Sequence, residues 1–341
     1  MRCLPLVFLA LSMSVEAADL KNIMMHHPQD QYIEVSVPTQ SDQPKTVRLQ
    51  RFNFTSHQYE LLANRLLHKN IYSFKTDSSE QKQLGMNGVP VLDQGWHGSC
   101  ATFANTAAVD ALIGKGDYIS QLCHLTLGQY FEDNGQTYLS GWEGSFGYMV
   151  LNQMTEFGII PKSKEQEVSC GGLKKYPSVS YGTSMPLHEF KPFSEMPVNF
   201  VWQPLLTLVD SLLFSVNMQP VLDKVKTSLK AGDRVTIGFL IDDSKGIGAL
   251  GNYHVVNDTW VMTPDIENRL KTNKLEAGHE LIITGFDDAA VSVDANGVNH
   301  QGLFTLRNSW GEKAGDHGDY YMSYDYFLLM VLEAQRIISI D

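Results

Sequence analysis

The chain is 341 residues long, 43% apolar and 10% aromatic, enough for one to three folded domains and too apolar for disorder. Lysine and arginine number 26 against 38 aspartates and glutamates, a formal net charge of -12, and no basic cluster interrupts that acidity. This balance excludes a nucleic-acid footprint and attraction to anionic membranes.

Residues 1–17 read as a signal peptide: Arg2 supplies a positive charge, Leu4 to Met13 an apolar run, and Ala17-Ala18 a small-residue cleavage site. The run is too short for a permanent anchor, so the expected location is secreted, extracellular or periplasmic, or a lysosome-like compartment in a eukaryotic host. Val201 to Leu222 is also apolar, but Gln203, Asp210, Asn217, Gln219 and Pro220 interrupt it, and it reads as core helix. After signal removal Cys100, Cys123 and Cys170 remain. An odd count in an oxidising compartment leaves one free thiol, a candidate nucleophile.

Residues 18–80 read as a separate N-terminal unit. Ile33 to Val37 and Thr46 to Leu49 alternate around a turn-rich stretch, which predicts a hairpin. Thr55 or Ser56 then caps a helix to about Lys69, with Tyr59, Leu62, Leu66 and Leu67 on one face. Polar Ser73 to Gln83 reads as an exposed linker open to proteolysis. His26-His27 lacks partner ligands and reads as polar surface, with no metal expected.

From Cys100 the spacing is helical, with Phe103, Ala107 and Ala111 on one face and Gly114 as the stop. Gly147 to Phe157 is a second helix. Strands follow at Arg234 to Ile241, Glu280 to Phe286, Gly302 to Arg307 and Tyr320 to Ser323. Helices first and strands afterwards predict an α+β fold in two lobes with a cleft between them.

Three blocks carry chemistry. Gln94-Gly95-Trp96-His97-Gly98-Ser99-Cys100 puts a thiol on the first turn of a helix, where the helix terminus and a nearby imidazolium favour the thiolate. Gly278-His279-Glu280 puts a histidine just ahead of a strand, and Asn308-Ser309-Trp310-Gly311 an amide at the end of another. An asparagine carbonyl can fix the imidazole, and Trp310 can cover that bond. Gln94 and the Cys100 N–H can donate to a developing oxyanion. His254, with Asn257 close behind, is a rival base. Glu280 is unusual beside a base; it would tune the pH profile, favour a basic substrate side chain, or serve structure.

Together these blocks resemble the papain-like (C1) cysteine peptidases, and the resemblance spans most of residues 85 to 341. It implies a two-lobe fold, a helical lobe plus an antiparallel β-barrel-like lobe, over residues 81–341. Residues 81–190 would form mainly the helical lobe, 191–220 an insertion and 221–341 mainly the β lobe. The Cys-to-His separation of 179 residues exceeds the family's roughly 130–150, hence the insertion.

By resemblance Cys100 is the nucleophile, His279 the base then acid, Asn308 the orienting residue and Gln94 the oxyanion donor. Gly98, Gly144, Ser145, Phe146 and Gly278 would border the substrate, and Cys123–Cys170 would form a disulfide. A second family disulfide is replaced by His97 and Trp142, which are expected to pack together. The implied activity is endopeptidase hydrolysis of a peptide or protein substrate, with no cofactor. Residues 18–80 do not look like the family's long-helix propeptide; their position and the exposed linker suggest an intramolecular inhibitor of the cleft. A transpeptidase, an exopeptidase and a catalytically silent peptide-binding protein remain as alternatives.

Overall fold

The computed structural model describes residues 31–41, 43–67, 79–196 and 200–340. The signal peptide, His26-His27 and residues 73–78 of the expected linker lie outside the described residues.

β1 (Tyr32–Val37) and β2 (Lys45–Arg51) form the antiparallel hairpin, with Val35 opposite Val47. Period-2 alternation puts Val35, Val37, Val47 and Leu49 on the buried face. A capping box then opens the helix Ser56–Asn64. The Gln58 N–H donates to Thr55 Oγ1, and the Thr55 N–H donates to Gln58 Oε1.

Tyr59 and Leu62 are buried on that helix, but Leu67 is 74% exposed. The α-helix stops at Asn64 instead of running to Lys69. Residues 65–67 tighten into a 3₁₀ turn, which rotates Leu67 off the apolar stripe. The linker reading also fails at its end. β3 (Gln81–Gln83) pairs with the sheet, because backbone donors and acceptors pair whatever the side-chain polarity.

The helix Cys100–Ile113 is buried from Cys100 to Ala111 and ends at Gly114, whose φ of 68° supplies the left-handed cap. The helices Gln121–Asp133 and Gly147–Phe157 complete the helical side. There the Cys123–Cys170 disulfide closes a 47-residue loop over a cluster with Trp142 and Phe190.

Val201–Leu222 is not one helix. β4 (Phe200–Leu206) is followed by the short helix Leu208–Leu213, which Thr207 and Asp210 start with another capping box, and by the helix Gln219–Ala231. Pro204 is accommodated because β4 pairs only with β11 (Val331–Ser339), at the sheet edge.

β5 (Arg234–Ile241), β6 (Ala249–Asn252), β7 (Thr259–Trp260), β8 (Ala277–Asp294), β9 (Asn299–Arg307) and β10 (Asp319–Ser323) complete the sheet. Its order is β4-β11-β5-β8-β6-β7-β10-β9, and β9 pairs back onto β8, so the far part closes on itself like a barrel. The named pairs are antiparallel except β7 with β10. The fold is α+β, with the Cys100 helix packed against β8 at the junction of the helical and sheet halves.

Candidate active site

Cys100 is the first residue of its helix, so its backbone N–H is among those without an intrahelical acceptor. It is buried and is the cysteine outside the disulfide among the described residues. Sequence reasoning puts His279 ahead of a strand, but β8 begins at Ala277 and carries His279 inside it, opposite Phe239 of β5. The ladder thereby fixes the imidazole's direction.

His279 Nε2 lies 3.0 Å from Asn308 Oδ1. Asn308 follows the last residue of β9, and its N–H donates to the Gly318 carbonyl. The Trp310 indole stacks on the imidazole, centroids 4.5 Å apart and planes 20° apart, and shields the pair from water. His279 Nδ1 is buried with no hydrogen-bond partner among the described residues, and His279 borders the same small gap as Cys100. The imidazole thus has one nitrogen held by the amide and one without a hydrogen-bond partner among the described residues.

Gln94 is wholly buried and held at both ends of its amide. Nε2 donates to the His97 carbonyl at 2.7 Å, and Oε1 accepts from the Ser309 hydroxyl at 2.7 Å. One amide hydrogen remains for another acceptor. These bonds tie the loop before the nucleophile to the loop bearing Asn308.

Between the two halves runs β2. Gln50 pairs with Gly278 and Arg51 with Ala277, while the Arg48 N–H donates to the Trp96 carbonyl at 2.9 Å. The Gln50 and Phe52 side chains border the gap containing Cys100 and His279. Arg48 Nη1 bonds Glu143 Oε1 at 2.7 Å, and its guanidinium lies over the Trp96 ring, 3.2 Å from the centroid. Lys45 pairs with Asp93 and donates to the Trp310 carbonyl.

Burial shifts both Cys100 and His279 toward their neutral forms. Burial, and then the Glu280 carboxylate, push the Cys100 thiol up to about 12. Burial pushes the His279 imidazole down to about 3, against the opposing effect of Asn308. Water returning to the site would favour the charged forms of both groups.

The sequence-predicted substrate-side residues gather at the same place. A Cβ at Gly98 would sit 2.9 Å from the Glu143 backbone, and one at Gly144 would meet Gln50 at 2.8 Å. Ser145, Phe146 and Gly278 border the gap, and Phe52 lies against Gly278. His97 packs edge-on against Trp142, centroids 4.9 Å apart, with Tyr176 and Tyr181 completing the cluster. His254 is elsewhere. It is half exposed and bonds Asp316 and Tyr321, with Asn257 taking no part in those bonds.

Sequence reasoning missed Arg48, Gln50 and Phe52, whose part depends on β2 reaching β8 across more than two hundred residues. It also missed Glu333, which borders the gap from β11. Its one signal is an acid within the apolar run Leu328 to Ala334.

A sequence model of the peptidase C1-like family matches residues 209–335, a span that includes His279, Asn308 and Glu333. No curated protein sequence matches the chain. Among solved structures, xylellain, a cysteine protease from Xylella fastidiosa, is similar at 17% identity over 76% of this chain and 86% of its own, with a TM-score of 0.44. Digestive procathepsin L 3 of the Tenebrio molitor larval midgut gives 15% identity, 77% and 71% coverage, and 0.44. The Amb a 11 cysteine protease of ragweed pollen, in its proform, gives 16%, 80% and 62%, and 0.45.

Proposed function

We propose that the chain, whose residues 209–335 match the peptidase C1-like family model, is a secreted cysteine endopeptidase held inactive by its own N-terminal segment. The observation that carries the reading is the His279–Asn308 pair under Trp310, its free Nδ1 opening on the gap that holds the Cys100 thiol.

In the reaction His279 Nδ1 takes the thiol proton, and the Cys100 sulfur attacks the substrate carbonyl carbon. The C=O π electrons move onto oxygen, which the Cys100 N–H and the Gln94 amide receive. As the oxyanion collapses, the C–N bond breaks and the imidazolium gives its proton to the leaving amine. A thioester to Cys100 remains. Water, deprotonated by the same imidazole, then attacks the thioester, and the thiol leaves with the carboxylic acid as second product. Asn308 keeps the ring oriented throughout. Every group in this route is a side chain, the Cys100 backbone N–H or water.

Inhibition is supported by the position of β2 and the residue after it: Arg48 to Phe52 lie where an extended substrate would meet Gly144, Gly278 and Cys100. The test is a full chain carrying a specific protease site within residues 73–78, compared cut and uncut. Peptide hydrolysis that rises on cutting and disappears in Cys100→Ala supports the reading. Equal hydrolysis before and after cutting would remove the inhibitory role, and none in either state would remove the peptidase.

A further inference from the structure

We propose that the gap beside Cys100 is a specificity pocket for a basic side chain, arginine or lysine, of the peptide substrate, read by the carboxyl pair Glu280 and Glu333. This rests on the peptidase reading and names the substrate class for that site.

The pocket is bordered by Cys100, Phe146, Gly238, Leu332 and the two glutamates. Glu280 follows His279 on β8, and Glu333 projects from β11 on the other side of β5. Both glutamates are buried, 3% and 2% exposed. Gly238 keeps the space open, since a Cβ there would lie 2.9 Å from Glu333 Cγ.

The acids are hydrogen-bonded but not ion-paired among the described residues. Glu333 Oε1 accepts from the Gly147 N–H at 3.1 Å, and Oε2 accepts from Gln335 Nε2 at 3.0 Å. Glu280 Oε1 accepts from Asn105 Nδ2. Glu280 Oε2 is buried without a hydrogen-bond partner among the described residues; the hydroxyl of nearby Thr236 donates to Asn105 Oδ1 at 2.9 Å. No lysine, arginine or histidine forms an ion pair with either glutamate among the described residues.

Buried carboxylates without a cation are costly, and a partner that brings its own charge recovers most of that cost. Burial, then the neighbouring Glu333, raises Glu280 well above the carboxylate range, and burial raises Glu333 to about 7. Phe52 and Gln50, the residues now over the pocket, carry no charge. When they leave, a guanidinium or ammonium entering beside Phe146 would meet Glu280 Oε2 and Glu333 together. Pairing would also offset the effect of the Glu280 charge on the Cys100 thiolate, so the right substrate would favour its own nucleophile.

The test uses the full chain cut within residues 73–78. Fluorogenic peptides carry Arg, Lys, Gln or Leu at each of the two positions ahead of the scissile bond. Epoxide titration of Cys100 counts active sites, so kcat/KM is compared per competent molecule. At one position, Arg or Lys should exceed Leu and Gln by about 10²-fold in kcat/KM. In Glu333→Gln and in Glu280→Gln the preference should shrink at least about tenfold, with the Leu peptide still cleaved.

Equal cleavage of Arg and Leu peptides, or a preference unchanged in both variants, would overturn the proposal and leave the peptidase standing. Failure to cleave any peptide, with Cys100 unlabelled, would overturn the peptidase reading and this one with it. Should either variant fail to fold, the wild-type Arg-to-Leu ratio alone decides.

Discussion

Gln50 of the N-terminal hairpin stands directly opposite Gly278, one residue before the imidazole whose Nε2 is held by Asn308. The N-terminal hairpin, proposed above as the inhibitory segment, and the candidate base are therefore neighbours in one ladder. Displacing the segment and exposing the site are the same event, and the account's predictions follow from that coupling.

Burial pushes the Cys100 thiol up to about 12 and the His279 imidazole down to about 3. In the uncut chain the thiolate fraction at neutral pH is small and grows about tenfold per pH unit toward 12. Alkylation of Cys100 should rise with that slope. After cutting and displacement, solvation restores the ion pair, and the rate should become fast and nearly flat from mildly acidic to neutral pH. Rate against pH for both forms, read by mass, checks this.

Arg48 makes the segment's buried ion pair, to Glu143. Arg48→Ala would leave Glu143 buried without its charge partner and remove the cover over Trp96. A loss of about 2–5 kcal/mol in the closed state is expected. Cys100 labelling in the uncut chain should then rise at least about 30-fold.

Gln94→Ala removes one of the two oxyanion donors. For the cut chain kcat should fall by about 10²–10³-fold with KM nearly unchanged. Asn308→Ala, which releases Nε2, should cost about 10²-fold in kcat. It should also alter the pH–rate profile, which Gln94→Ala should leave in place.

The disulfide is a matter of stability and not of chemistry. Replacing Cys123 and Cys170 by serine opens the 47-residue loop and should cost roughly 4 kcal/mol in the chain-entropy account. Denaturant midpoints measure it, while Cys100 labelling below the transition should be unaffected.

The local rules were readable wherever one residue type forces one conformation. Gly114 stops the Cys100 helix, Thr55 caps the next upstream helix, and Arg234 to Ile241 reads as a strand because its apolar run is short and β-branched. Val201–Leu222 misled because apolar content without period does not distinguish strand from helix. Thr207 and Asp210 cap a new helix within it. His279 seemed to precede its strand because Ala277 and Gly278 have weak strand preference, yet both pair with β2 and β5. Leu67 left its expected face when the helix tightened.

The site's motifs were legible for the same local reason, since a thiol at a helix start and an amide at a strand end each have a sequence signature. Arg48 has none, and Glu333 has only its place as an acid within an apolar run. Their neighbours come from distant strands, and a buried acid or base in a strand becomes informative only once its partners are known.

On the proposed reading Cys100 is a nucleophile activated by His279 and shut off by the hairpin. Intact mass after treatment with a thiol-directed epoxide tests it most directly, on the full chain uncut and cut within residues 73–78. The account predicts one adduct, on Cys100, scarce in the uncut chain, abundant after cutting and absent from His279→Ala. No adduct in either form, with Cys100 reduced and the chain folded, would contradict it.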